Sequence, residues 1–414
     1  MEPSVPDKTE MPDDANGSRS PKTPQNMPPP DEEFHGEQVL TIAGGHFVHD
    51  TYSAFIPPLL PLLQERLGAS YALTGGLVVF TQLPSLLNPL IGYLADKVSL
   101  RYFVILAPAV SATLISCLGL TSDYLALAFL LLAAGVSIAA FHAPAPAMIA
   151  RISGRRLGTG MSLFMAAGEL GRTLGPIVAV AGVGWFGLEG IWRLAFVGWL
   201  VSGILYLRLR RVSARPGINA ATQLPWRKAR RLFGTLGWLL IPRIFIVVCL
   251  TTFLPLFMSD TRGSGLWLAA ASLTILEAAG VVGALMTGTL SDRLGRPQVL
   301  LVLLGLSPVF LFAFVYAPGW LTVPLLIALG LTAISPTPVF LAIIQDEFPD
   351  NRALANGSFM ALNFLVRALG IWLVGVLADR IGLQSTFVLA GVSAFLSIPA
   401  IWFLPRSGAS GRSA

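Results

Sequence analysis

Four polar side chains, His46, His49, Asp50 and Ser53, stand at i, i+3, i+4 and i+7 near the start of the first apolar stretch, which places them on one face of a helix. A carboxylate beside imidazoles on such a face can carry a proton, because burial brings the proton affinities of the two groups together. The same spacing also suits a hydrogen-bonded structural pair near a helix end. His142 lies beside Pro144 and Pro146. Prolines free backbone carbonyls and build the broken-helix geometry of membrane binding sites, or simply kink the helix. Glu169 and Arg172 are three residues apart and can pair on one helix face, whereas Glu277, Arg243 and Arg367 have no opposite charge within a turn. These last three either pair across helices or offer guanidiniums that grip an anionic group bidentately. Asp50, His49 and Glu169 are therefore the proton-coupling candidates. His46, His142, Arg172, Arg243, Arg367 and Glu277 are the candidates for lining a substrate cavity. Three histidines and Asp50 could also ligate a transition metal, but with no HxxxH pair and no histidine-rich loop no metal site is expected. Pro57, Pro58 and Pro61 are expected to shape the first helix.

These charges belong to a chain of 414 residues that is 54% hydrophobic and 12% charged, with a mean hydropathy of +0.71. A water-soluble surface needs roughly 25% charged residues, so the chain is expected in a bilayer. There each ionisable group costs at least about 2.5–3.5 kcal/mol at a helix centre and is a functional candidate by default. Crossing the hydrocarbon core takes about 20 apolar residues. Runs of that length predict an all-α membrane protein of twelve helices, over 38–64, 71–95, 102–121, 123–150, 157–184, 190–209, 233–258, 265–290, 298–317, 320–345, 353–378 and 382–404. Stretches such as LALAFLLLAAGVSIAA are apolar on every face, unlike the alternating strands of an outer-membrane barrel.

Residues 1–37, acidic and proline-rich, predict a disordered tail. Residues 38–209 and 233–404 predict two six-helix bundles joined by a basic linker, 210–232, with a second tail over 405–414. Outside the helices, only Arg66, Arg193, Arg262 and Arg380 fall on one side of the predicted topology; every other Lys and Arg falls on the side of the tails and linker. The positive-inside rule makes that side cytoplasmic. The net charge of +6 thus lies in membrane-flanking segments rather than on a folded basic face, and no nucleic-acid partner is expected. Cys117 and Cys249 sit in apolar runs and imply no disulfide framework. The chain carries no Gly-x-x-x-x-Gly-Lys-(Ser/Thr) loop for ATP-driven pumping, and neither a nucleophile elbow nor a zinc-enzyme motif points to an enzyme.

An internal repeat divides the chain into six plus six. GYLADKVSLR from Gly92 recurs as GTLSDRLGRP from Gly288, Pro144-Ala-Pro146 as Pro336-Thr-Pro338, and Arg172-Thr-Leu-Gly175 as Arg367-Ala-Leu-Gly370, at offsets of 196, 192 and 195 residues. An even number of helices separates the copies, so the halves share one orientation, related by an axis along the membrane normal. The first pair of copies resembles the Gly-x-Leu-x-Asp-(Lys/Arg) signature of the major facilitator superfamily. Its residues here are Gly92, Leu94, Asp96, Lys97 and Arg101, then Gly288, Leu290, Asp292, Arg293 and Arg296. A small residue lets helices approach, and a carboxylate with bases at helix ends can form a latch that breaks when the halves rock.

Within that superfamily, HFVHDTYSAFIPPLLPLLQERL, GYLADK and FHAPAPAMIARISGRRLGTGMSLFMAAGELGRTLGP resemble the fosmidomycin-resistance family of bacterial drug exporters. Gly171-x-x-x-Gly175-Pro176 is also similar to the glycine-proline pattern of proton-antiporting members; a flat helix face with a bend packs tightly against a neighbour. The resemblance implies two six-helix bundles around a central cavity and export of a small drug-like or anionic organic molecule by alternating access in the inner membrane. The proton gradient would be the energy source, with no cofactor, and the unit a monomer. Proton-coupled uptake of an organic acid or sugar, or a non-transporting sensor on the same scaffold, are the alternatives.

Overall fold

The computed structural model describes residues 33–87, 91, 100–142, 144–211, 225–348 and 352–405. Its helical segments are α1 (Gly36–Ser53, resumed at Ile56–Leu67), α2 (Tyr71–Leu87), α3 (Arg101–Leu120), α4 (Tyr124–His142, resumed at Ala145–Ile152), α5 (Leu157–Phe186) and α6 (Leu188–Leu209). There follow α7 (Trp226–Thr261), α8 (Leu266–Leu294), α9 (Arg296–Tyr316), α10 (Gly319–Glu347), α11 (Arg352–Ile381) and α12 (Leu383–Phe403). Ten helices among the described residues are long and apolar enough to span a bilayer, and the described part of α2 is apolar. The fold is all-α, with twelve membrane segments and no strand among the described residues.

The ends of the predicted tail and linker are more ordered than their polarity suggests. Helix α1 starts at Gly36, and His35 N–H donates to the Ile152 carbonyl at 2.9 Å. The helix of α7 starts at Trp226, which puts Arg227, Lys228, Arg230 and Arg231 on its first turns rather than in a loop. Residues 1–32, 212–224 and 406–414 of the predicted tails and linker lie outside the described residues.

Proline explains the interruptions. The sequence predicts one helix over 38–64, yet α1 breaks at Ala54 and Phe55, because Pro57 and Pro58 cannot donate to the carbonyls of Ser53 and Ala54. Pro144 interrupts α4. In α10 a π-helical turn over Gly330–Ile334 precedes Pro336, and in α7 two such turns, Cys249–Phe253 and Phe257–Thr261, flank Pro255. Such turns mark functional stretches in many helices.

Each half packs within itself: α1 on α5, α3 on α4 and α6, and α2 on α4; then α7 on α11 and α12, α9 on α10 and α12, and α8 on α10. Between the halves, α2 meets α11 and α5 meets α8. A shift of six helices turns one of these contacts into the other, as a two-fold relation between the repeats requires. Near the α1–α2 and α7–α8 turns a single apolar core joins both halves, including Phe55, Leu59 and Leu60 of α1 with Phe253, Phe257 and Leu276. Toward the opposite end it divides into separate cores, one around Val39, Phe141 and Leu209 and the other around Leu232, Phe340 and Phe359.

A close seam that bears on the ionisable residues lies between α1 and α5. A Cβ on Gly171 would fall 2.3 Å from the Phe47 carbonyl oxygen, and one on Gly175 would fall 2.6 Å from the Thr51 carbonyl oxygen and from Ala54 Cβ. Gly168 faces the His46 ring in the same way, at 2.3 Å. The glycine stripe therefore sets how near helix 5 approaches helix 1. Overpacking a tight seam costs about 1–3 kcal/mol, so Gly171→Val should lower the thermal midpoint of the detergent-solubilised protein, whereas Gly158→Ala, at a position with nothing within 4 Å, should leave it near the parent value.

Candidate functional site

The α1–α5 seam carries the predicted helix-1 face into the centre of the N-terminal half. His46, His49 and Asp50 are all buried. His142 comes in from the end of α4, where the break at Pro144 stops the helix. His46 Nε2 lies 3.3 Å from Asp50 Oδ2, His142 Nε2 lies 3.3 Å from Asp50 Oδ1, and the two Nε2 atoms are 3.4 Å apart. On their far sides the rings meet backbone: His46 Nδ1 is 2.8 Å from the Phe164 oxygen and His142 Nδ1 is 2.9 Å from the Ile138 oxygen. Phe164 stacks on His46 with ring centroids 4.0 Å apart. His46, Asp50 and His142 form a group of metal-ligating type, with donor atoms all within 4.8 Å of one another. The donors come from α1 and α4 together, in a sequence with no HxxxH pair and no histidine-rich loop.

The other two residues of that face behave differently. His49 stacks on Phe141 with centroids 4.4 Å apart, and among the described residues neither ring nitrogen has a partner in good hydrogen-bond geometry. Ser53 turns back to donate to the Asp50 carbonyl at 2.8 Å.

A second group lies where α5 meets α8 and the C-terminal half. Arg172 pairs with Glu169, as their spacing predicts, and about half of its side chain is exposed. It interacts electrostatically with Asp50 and with Glu277 of α8, and Glu277 interacts in turn with Arg367 of α11. Arg367 donates to Thr251 Oγ1 at 3.0 Å in the first π-helical turn of α7, and its Nε has no partner. Arg243 is buried, donates to the Ala333 carbonyl at 2.8 Å in the π-helical turn of α10, and lies over the Phe340 ring. Among the described residues no carboxylate is within ion-pair distance of Arg243 or Arg367. The cross-helix partners are thus a carbonyl and a hydroxyl freed or exposed by distorted helices.

Of the latch residues, Gly92, Asp96 and Lys97 lie outside the described residues. Arg101 opens α3 over the ring of Tyr102. In the second copy Arg296 holds Asp346 of α10 at 2.7 Å and Asp292 at 3.9 Å, and Arg293 is exposed. Among the described residues no atom lies within 4 Å of a Cβ on Gly288.

Sequence reasoning missed a contact at the opposite end. Asp379, at the end of α11, accepts from the backbone N–H groups of Tyr71 at 2.7 Å and Ala72 at 3.0 Å. A carboxylate is favoured at a helix N-terminus by the unpaired N–H groups and the helix dipole. Tyr71 Oη also donates to Asp260 Oδ2 of α7 at 2.9 Å. A Cβ on Gly375, one turn before Asp379, would fall 2.7 Å from Ala72 Cα. Helix α2 is thereby tied to α7 and α11 across the halves. An acidic residue at a predicted helix end was the available signal, but its partner is the first turn of a helix some 300 residues away.

An all-α bundle of twelve membrane segments, halved by an internal repeat and with ionisable residues gathered where the halves meet, defines a secondary transporter rather than an enzyme. The sequence profile of the Major Facilitator Superfamily matches residues 42–370 and 278–414, and the chain belongs to that family. It is 24% identical to the fosmidomycin resistance protein of Escherichia coli over 375 residues, covering 88% of this chain and 91% of the relative. Solved structures share the fold: a nucleoside transporter superposes with a TM-score of 0.73 at 15% identity, over 89% of this chain and 100% of that one. A D-xylose-proton symporter superposes with a TM-score of 0.69 at 14% identity, over 91% and 99%. The protein is a multi-pass membrane transporter for a small-molecule substrate.

If the Asp379 cap closes this end, Asp379→Ala should open it. Spin labels at the exposed positions Glu65 and Thr261, one in each half, should then show a longer distance distribution than in the parent protein.

Proposed function

We propose that this transporter is a proton-coupled antiporter that exports a small drug-like or anionic organic molecule from the cytoplasm. The observation that carries the reading is Asp50, a buried carboxylate held between two imidazoles and within electrostatic reach of Arg172 at the meeting of the halves. A carboxylate there is a natural carrier for a coupling ion, and the arginine beside it answers to the charge of whatever the cavity holds. The resistance protein among its relatives supports export of a drug-like compound.

In the proposed cycle, Asp50 or Glu169 takes a proton from outside as substrate leaves, then loses it to the cytoplasm as substrate binds. His49, buried beside them, is the third proton-coupling residue. His46, His142, Arg172, Arg243, Arg367 and Glu277 line or shape the cavity. Residues 38–209 and 233–404 rock against one another as two units about the linker 210–232, with the glycines 171 and 175 and Pro176 keeping α5 sealed on α1. The distribution of Lys and Arg supports a topology with both termini in the cytoplasm of an inner-membrane protein. The closed end, bearing Asp379, is then the outer one, and the conformation faces inward. The proton gradient is the energy source, with no cofactor in the cycle, and the transporting unit is a single chain.

Proteoliposomes with an imposed pH gradient test the coupling: substrate-triggered proton flux opposite to substrate flux is expected, and co-directional flux would make the protein an importer. Asp50→Asn should abolish gradient-driven flux while the protein still inserts; undiminished driven flux would remove Asp50 from the cycle. Arg172→Leu should weaken transport of anionic substrates, tested with phosphonates, more than that of neutral ones. Equal loss for both would reduce Arg172 to a structural partner of Glu169.

A further inference from the structure

The backbone fixes one tautomer for each histidine of the triad. A carbonyl oxygen only accepts, so the Nδ1 atoms of His46 and His142, at 2.8 and 2.9 Å from the carbonyls of Phe164 and Ile138, must carry the hydrogen. In a neutral ring Nε2 is then a bare lone pair. Both Nε2 lone pairs converge on the Asp50 carboxylate and on each other, with separations of 3.3, 3.3 and 3.4 Å. With both rings neutral, Asp50 Oδ1 has no hydrogen-bond donor among the described residues. Electron pairs gathered this closely repel one another, and a proton or a metal cation among them relieves the repulsion.

The donor types and their spacing suit one kind of cation. The two Nε2 atoms, 3.4 Å apart, are spaced as ligand atoms bound tetrahedrally at about 2.0–2.1 Å, the distance for zinc to histidine nitrogen, and each lies 3.3 Å from a different oxygen of the Asp50 carboxylate. An Nδ1–H held by a backbone carbonyl is also the outer-sphere bond that orients histidines toward a metal. Two imidazoles and one carboxylate suit a borderline-soft divalent ion, whereas magnesium and calcium require oxygen ligands.

We propose that His46 Nε2, His142 Nε2 and the Asp50 carboxylate bind one divalent first-row transition-metal ion of the zinc class. The three protein ligands leave a fourth position open on the side of His142, whose side chain is 36% exposed while those of His46 and Asp50 are 5% and 3% exposed. The binding belongs to α1 and α4 alone and competes with protonation of Asp50, so the metal-bound chain is not the one in which Asp50 carries the proton of the proposed cycle.

The test is a titration of the purified, tag-free, full-length protein in detergent with Co2+ alone, read by its visible absorption. One equivalent per chain should bind with the intense bands of four-coordinate cobalt, displaced by Zn2+ and not by millimolar Mg2+. Asp50→Asn and His142→Gln should each weaken binding by at least about tenfold, since losing a ligand costs no less than losing one of its supporting bonds. X-ray absorption of the Zn2+-loaded parent protein, which needs no variant to fold, should show imidazole nitrogen and carboxylate oxygen at about 2.0–2.2 Å. No binding by the parent protein, undiminished binding in either variant, or a metal shell without imidazole would each overturn the proposal. None of these readouts involves flux, so a failed transport assay and a failed metal site remain distinct results.

Discussion

An ionisable group in hydrocarbon must find a partner, a cavity or a cation, and that requirement governs where this structure places its charges. The described charges within the membrane segments do not face lipid individually. They gather on α1, α4 and α5 in one half and on α7, α8 and α11 in the other, where the halves meet. The apolar remainder of each helix is free to face lipid, which is why Trp185, Trp199, Leu285 and Trp402 can remain exposed. Helix packing follows from the same constraint. Lipid is as apolar as leucine, so association in a membrane depends on close approach rather than on apolar burial. The glycines at 168, 171 and 175 allow α5 to lie directly on the backbone of α1. That approach carries the Phe164 carbonyl to His46 and so orients the ring that meets Asp50.

Broken helices satisfy the remaining polar groups. In α10 the turn before Pro336 presents the Ala333 carbonyl to Arg243 and the Ser335 carbonyl to Thr287, at 2.8 and 3.0 Å. In α4 the break beside Pro144 ends the helix at His142, so that its ring can turn toward Asp50. The two sites occupy equivalent places in the repeat, yet one half uses its break to hold an imidazole and the other to hold a guanidinium. The repeat conserves where the backbone opens, and the side chain placed against the opening decides what each half can bind.

Much of this was legible in the residues. Hydrophobic runs located the spans, the offset copies around Gly92 and Gly288 revealed the halves, and local spacing foretold both the Glu169–Arg172 pair and the shared face of His46 and Asp50. These are properties of one helix at a time, and a 3.6-residue period encodes them. What escaped were contacts between distant segments. His142 reaches Asp50 only because α4 packs beside α1, Asp379 caps a helix from the other half of the chain, and Arg243 meets a carbonyl that exists as an acceptor only after α10 is distorted. The break in α1 could have been read, since Pro57 and Pro58 are adjacent, but a long apolar run masked it.

The electrostatic contacts also link the binding groups to the motion of the halves. Asp50 interacts with Arg172, Arg172 with Glu277, and Glu277 with Arg367, a sequence that begins in the N-terminal half and ends in the C-terminal one. A ligand shifts a conformational equilibrium only by the difference in its interaction with the two states. A cation at Asp50 weakens the hold of that carboxylate on Arg172, and Arg172 is the member of the series that faces the other half. Charge placed at the triad therefore alters the attraction along the α5–α8 contact. At the closed end the bonds from Asp379 and Asp260 to α2 must break for the halves to separate. Neither carboxylate is near the triad, so the closure and the binding site can influence each other only through the rigid helices α2, α7 and α11 that join them, and a transporter whose halves move as bodies requires no more than that.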